Sequence, residues 1–293
     1  MNTPDFAAAT AFIAANARII DRRRFELLFD GGGTTPVRDA VAAYRNQDGG
    51  FGNGLEPDCR APGSQPAAVA MALQILDQAD AWDLELVRGA CDWLAAVAPA
   101  GGGSSFVLAT LAGWPHAPWW VPQDGASLVS TGMISGTLHA RGFRHPWLDQ
   151  ATQTMWTLLD RATELGPYDL RGALPFLQHV PDRARAETAF GRLSETVLAL
   201  TELDPEATGE VHSPLDFAPE PGSMARSLFD KPVIEAHLDH LAAGQRDDGG
   251  WTFNWATWSS AAEQDWRGFL TVDALHSLRV NGRPAGSPAG SAA

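Results

Sequence analysis

A turn of two glycines and an aromatic is written twice into this chain, as Gln47-Asp48-Gly49-Gly50-Phe51 and as Gln245-Arg246-Asp247-Asp248-Gly249-Gly250-Trp251. Each copy follows a stretch of helical periodicity, at 36–46 and 231–244, and precedes a loop and a second helical stretch. Glycine admits positive φ without a Cβ penalty, and a preceding Asp accepts backbone N–H groups at a turn. A turn reused at helix ends points to an array of helical hairpins rather than to one unrepeated core. The same logic makes Asp48, Asp247 and Asp248 parts of the turn rather than chemistry.

Periodicity supports the array. Leu84, Val87, Cys91, Leu94 and Val97 form one helical stripe; Trp147, Ala151, Met155, Leu158 and Ala162 form another; Phe190, Leu193, Val197 and Leu200 form a third. Strand-type alternation is scarce. The pattern predicts helices at 4–19, 22–29, 36–46, 65–79, 83–98, 103–112, 126–141, 146–164, 169–179, 183–202, 230–244 and 265–280. Small residues crowd the helices at Gln65–Ala72 and Ser127–Gly136, which suits close-packed inner helices, whereas 146–164 has the bulkier stripe of an outer one. The expected fold is all-α, a single (α/α)6 toroid of about twelve helices in inner and outer rings around a central cavity. One domain is expected over 4–281. The Gly-, Pro- and Ser-rich segment 282–293 is expected to be a disordered tail.

Charge narrows the partners. With a net charge of -14 and Lys231 as the sole lysine, the chain is a poor match for nucleic acid or an anionic membrane. No apolar run approaches the roughly 18 residues a membrane span requires. The start lacks the basic residues of a secretory signal, so a cytoplasmic location is expected. Two cysteines are too few for a disulfide framework. The histidines show no metal-ligand spacing, so no metal site is expected.

The sequence Gly49-Gly50-Phe51-Gly52, followed by a loop to Ala61-Pro62 and the helix Ala67–Leu73, resembles the repeat of protein prenyltransferase β subunits. The stretch Gln245 to Trp251, with its preceding helix, is similar to the QW-type repeat of squalene–hopene and related class II terpenoid cyclases. The resemblance covers about 36–79 and 230–280 and implies the α/α toroid both groups share. Departures from it are equally specific. Where the cyclases open an inner helix with Asp-x-Asp-Asp, this chain has Ser64-Gln65-Pro66-Ala67, and the prenyltransferase zinc ligands and the Asp-Asp-x-x-Asp magnesium motif are missing.

The candidate residues lie just downstream of the two turns and in one further loop. Glu56 and Asp58, two positions apart, are candidate catalytic acids if one keeps a raised pKa; a salt-bridged surface loop with Arg60 is the plainer alternative. Asp265 is a third candidate acid or, equally, a helix N-cap. Arg60 and Arg267 would bind a diphosphate or carboxylate, although Arg267 also stands at ion-pair spacing from Glu263. His116, Trp119, Trp120, Trp251 and Trp255 would line a cavity whose aromatic faces stabilise a carbocation, or else pack the core. The resemblance implies a terpenoid cyclase-like enzyme with an apolar isoprenoid or prenylated substrate and acid-initiated chemistry. No cofactor is expected, with Mg²⁺ entering if the substrate is a diphosphate. The alternatives are prenyl-diphosphate transfer, and a non-catalytic toroid that binds an apolar ligand or a protein partner.

Overall fold

The computed structural model describes residues 3–284. The described residues are helical and lack β-strands; backbone pairing between Arg45 and Phe51 and between Cys59 and His116 consists of isolated bridges. In chain order the α-helices are α1 (Phe6–Asn16), α2 (Ile19–Phe29), α3 (Thr34–Ala42), α4 (Pro66–Gln78), α5 (Leu84–Val97), α6 (Leu128–Ala140), α7 (Pro146–Arg161), α8 (Pro167–His179), α9 (Arg183–Ala199), α10 (Pro214–Phe217), α11 (Lys231–Ala243) and α12 (Ser260–Val280). Short 3₁₀ turns stand at Ala109–Leu111 and Met224–Leu228. No helix of the described residues is long and apolar enough to cross a membrane.

Local chemistry sets the helix starts. Asp5, Asp83, Asp182 and Ser259 cap α1, α5, α9 and α12, each accepting a backbone N–H of the first turn. Proline at the first position of α4, α7 and α8, and at the second of α11, costs no hydrogen bond there. His145 caps α7 through Nδ1, 3.2 Å from the Trp147 N–H, while its Nε2 lies 3.0 Å from Asp92.

The described residues sort into two compact units, 41–200 and the pair of segments 3–40 and 201–284. In the first of these, α4, α6 and α8 lie side by side, and α5, α7 and α9 each back onto one of them. Burial follows the layers. Residues Pro66 to Leu73 of α4 are buried without interruption, whereas α5 and α7 bury one stripe each. The α6–α8 approach is very close, because a Cβ on Gly132 would lie 2.6 Å from the Gly172 carbonyl carbon, and one on Gly136 2.7 Å from that of Pro175. In the second unit, α12 packs against α1, α2 and α11, and α10 against α11.

The repeated turn has the same wiring in both copies. Gly49 and Gly249 sit at φ 91° and 90°. Gly49 N–H donates to the Asn46 carbonyl at 3.0 Å, and Gly249 N–H to that of Arg246 at 2.8 Å. The Gly50 and Gly250 N–H groups donate to Asp48 and Asp248 at 2.9 and 3.1 Å, so these aspartates do hold the turn. The tip is pressed onto a helix: a Cβ on Gly49 would lie 2.6 Å from the Gly89 carbonyl oxygen of α5, and one on Gly249 3.0 Å from the Ala8 Cβ of α1.

A third copy stands where the periodicity predicts a helix at 103–112. Gly101, Gly102 and Gly103 all have positive φ, and Gly102 N–H donates to the Pro99 carbonyl at 2.9 Å, the same span as in the other two turns. Ser104 takes the place of the aromatic. Its N–H donates to Thr131 Oγ1 at 3.0 Å, as the Trp251 N–H does to Thr271 Oγ1 at 2.9 Å. Three left-handed residues in a row cannot start a right-handed helix, and the helical part of the segment shrinks to Ala109–Leu111. Two further expectations shift. The interval between the helices expected at 183–202 and 230–244 contains α10, and α12 begins at Ser260, so Asp265 lies inside the helix and Ser259 is the cap. Of the expected tail, Gly282 continues the turn after α12 and Arg283 pairs with Glu235 and Asp239 at 2.5 and 2.8 Å; residues 285–293 lie outside the described residues.

Candidate functional site

The loop after the first turn folds onto the loop ahead of α6. Asn53 and Gly54 turn the chain with φ 57° and 75°. Glu56 then accepts the Asp58 N–H at 2.7 Å, curling the segment back. Two backbone bonds pin it: Arg60 N–H to the Pro115 carbonyl and Ala117 N–H to the Asp58 carbonyl, both 2.8 Å. Cys59 and His116 face each other across this antiparallel bridge as a non-hydrogen-bonded pair, the geometry that brings side chains closest. Glu56, Asp58, Arg60, His116, Trp119 and Trp120 are thereby brought onto one pair of loops.

Their environments differ. Asp58 and Trp120 are buried, and the Trp120 ring sits 5.4 Å from that of Phe106. Trp119 and Trp114 are among the most exposed large apolar side chains. His116 Nδ1 lies 2.7 Å from the Trp114 carbonyl and, carrying the proton, donates to it, which leaves Nε2 as the acceptor of the neutral ring. Burial pushes the Cys59 thiol up, with Glu56 and Asp58 adding to the effect against the Ala61 backbone and Arg60. A thiol so placed stays protonated at neutral pH and is no nucleophile. Between Gly52, Glu56, Cys59, Gln65 and Trp120 there is about 170 Å³ of space, too narrow to admit a water molecule.

The other four candidates belong to the unit built on α12. Trp251 is buried, and its indole N–H donates to the Leu241 carbonyl at 2.8 Å. Arg267 holds Asp248 through two hydrogen bonds of 2.8 and 2.7 Å, donates from Nε to the Trp251 carbonyl at 3.2 Å, and lies 4.7 Å above the Phe12 ring. Its pairing is with Asp248 instead of the Glu263 expected from helix spacing, and it ties the turn to α12. The same guanidinium holds the Asp248 carboxyl below the usual carboxylate range, helped by the Gly250 N–H. Trp255 is half-buried in an aromatic string. It stacks on Phe253 at 4.4 Å and meets Trp266 edge-on at 5.5 Å, and Trp266 meets Phe269 at 5.7 Å. Asp265, also half-buried, precedes Trp266 on the same helix.

Beneath that string lies a polar cluster absent from the sequence-based candidates. Arg24 of α2 is 1% exposed and sits 4.2 Å over the Phe269 ring; it pairs with Asp21 at 3.1 Å and with Asp273 of α12 at 2.5 Å. Arg18 adds a 2.9 Å contact to Asp21. On α12 the residues Trp266, Phe269, Asp273 and His276 recur in steps of three, four and three, so the aromatic stripe turns polar as it descends the helix. Burial lowers the His276 pKa against the upward pull of Asp273, and its Nδ1 is buried without a hydrogen-bond partner. The sequence did hold a signal: Asp21 and Arg24 stand at ion-pair spacing within the apolar neighbours Ile20, Phe25 and Leu28. Among the described residues, no group of three His, Cys, Asp or Glu side chains is arranged to hold a metal ion.

No protein-family model and no curated protein matches the chain. A crystal structure of a protein from Actinoplanes is similar to it over 95% of this chain and 91% of that one, at 16% identity and a TM-score of 0.57. At that identity the likeness shows a shared helical fold and nothing of the chemistry.

Proposed function

We propose that the chain is a terpenoid cyclase-like enzyme of the α/α toroid type, acting on an apolar isoprenoid or prenylated molecule. The observation that carries this reading is the half-buried string Phe253–Trp255–Trp266, with Asp265 one position before Trp266 on α12. Successive aromatic faces stabilise a migrating cation without offering it a nucleophile, and a carboxylic acid beside them supplies the initiating proton. Asp265 is preferred over Glu56 and Asp58 because it adjoins Trp266 of the string in the sequence, whereas Glu56 accepts the Asp58 N–H and Asp58 is buried. The toroid itself is supported by the alternating layers of α4 to α9, and by the turn at Gly249 seating against α1.

The prenyl-diphosphate transferase alternative draws on Arg60 and Arg267. It ranks lower, because Arg267 already spends its guanidinium on Asp248 and the Trp251 carbonyl. The test is incubation with isoprenoid diphosphates and neutral polyenes, with and without Mg²⁺, followed by mass spectrometry of the products. A cyclised product is expected, lost in Asp265→Asn with the melting temperature kept, and diverted toward water-quenched alcohols in Trp255→Ala. Undiminished turnover by Asp265→Asn would remove Asp265 as the acid. Thermal protection by a polyene with no product would support the non-catalytic apolar binder instead.

A further inference from the structure

On one face of the 41–200 unit, α7 and α9 stand apart and leave an open groove of about 610 Å³. Its α9 wall is Ala189, Leu193, Thr196 and Leu200, one helix face in steps of four, three and four; Leu159 and Leu165 line the opposite wall. From Ala189 to Leu200, the C-cap of α9, eleven steps at a rise of 1.5 Å make the groove about 16 Å long, three turns of a helix. Carboxylates outnumber arginine in its lining, with Asp160, Glu164 and Glu195 against Arg192. Asp160 is claimed by Arg185 and Arg192 at 2.7 and 3.0 Å, which also consumes the groove's arginine. Glu164 and Glu195 remain at the rim, and no ion pair or side-chain hydrogen bond holds either of them among the described residues.

We propose that this groove docks a cationic amphipathic helix of a partner protein, with apolar residues on one face against Leu159, Leu193 and Leu200 and Lys or Arg beside Glu164 and Glu195. An apolar floor between uncompensated carboxylates matches that chemistry, the mode in which a helix is read by anchors three and four residues apart. A second copy of this chain is a poor occupant, since at a net charge of -14 it would bring acid against acid. An anionic lipid surface is excluded by the same sign.

The test is fluorescence anisotropy with a labelled twelve-residue Leu/Lys peptide of amphipathic helical pattern, at low and at physiological salt. A scrambled peptide of the same composition is the control. Saturable binding is expected for the patterned peptide, with affinity at least about tenfold below it for the scrambled one. The double variant Glu164→Lys/Glu195→Lys, whose sites are exposed and whose fold is checked by circular dichroism, should lose about tenfold or more for the Lys peptide and gain affinity for a Leu/Glu peptide of the same pattern. Equal binding of patterned and scrambled peptides, no effect of the double variant, or no binding at all would each overturn the proposal.

Discussion

A methyl group added to Gly249 meets two obstacles at once. Its φ of 90° disfavours any L side chain, and the new Cβ would lie 3.0 Å from that of Ala8, with the Ala8 carbonyl nearer still. Gly249→Ala should therefore lower stability by about 2–4 kcal/mol, the range of backbone strain plus overpacking. Gly191 in α9 offers the contrast. Nothing lies within 4 Å of a Cβ there and the residue is exposed, so Gly191→Ala should stabilise by about 0.5–1 kcal/mol through helix propensity alone. Urea titration of the two variants checks both signs, and equal effects would mean that the turn is not a fixed contact. Much at this scale was legible in the sequence. Asp48 and Asp248 hold their turns as their position beside paired glycines implies, because an Asp–backbone bond spans two residues and needs no tertiary context. Their second partners were not legible: Ser64, just ahead of α4, bonds Asp48 at 2.7 Å and Arg267 of α12 bonds Asp248, choices made by whichever residue the facing segment supplies.

Between elements, α6 and α8 approach closely where glycine replaces side-chain interdigitation. A Cβ on Gly132 would overlap the Gly172 carbonyl, and one on Gly172 would lie 2.6 Å from the Val129 Cα, so either substitution must push the two helices apart. Each of Gly132→Ala and Gly172→Ala is expected to cost about 2–3 kcal/mol. Once the first has separated the backbones, the second meets less resistance. The double variant should then cost clearly less than the sum, a coupling of about 1 kcal/mol in a double-mutant cycle. Strict additivity would mean that the helices yield at each glycine independently. The small-residue run Ser127–Gly136 announced this packing in the sequence, since only small side chains let backbones approach. The third turn was hidden for the converse reason. With Ser104 in place of the aromatic and no Asp before the glycines, it keeps the backbone wiring and loses the letters, while the residues after it fit a helical count. The Arg24 cluster was missed because an ion pair spanning α2 and α12 has no periodic signature; its local half, Asp21 and Arg24, looks like any surface pair until α12 covers it.

At the scale of the whole molecule, two electrostatic effects oppose each other as pH falls from neutrality. Burial lowers the pKa of His139, His237 and His276. These rings are neutral in the folded chain at a pH where the unfolded chain already binds protons. Stability from this source is complete above the unfolded value of about 6.5 and is lost as pH drops below it toward the folded values. The carboxyls of Asp248 and Asp160, held down by their arginines, add a second loss that begins only near the unfolded carboxylate pKa of about 4. Against both stands the self-repulsion of a chain with net charge -14, which weakens as pH approaches the sequence pI of about 4.9. Salt separates the two. At about 0.5 M the Debye length is near 4 Å, which screens repulsion across the surface and leaves the buried rings largely unaffected. The melting temperature at high salt should therefore fall by a few degrees between pH 7 and pH 5.5, since about 1 kcal/mol corresponds to about 2–4 °C in a chain of this size. At low salt the fall should be shallower. Replacing His276 and His139 with Gln should flatten the high-salt slope while sparing the loss below pH 4. A slope that grew steeper at low salt would show that surface ion pairs, and not the buried histidines, govern the acid limb.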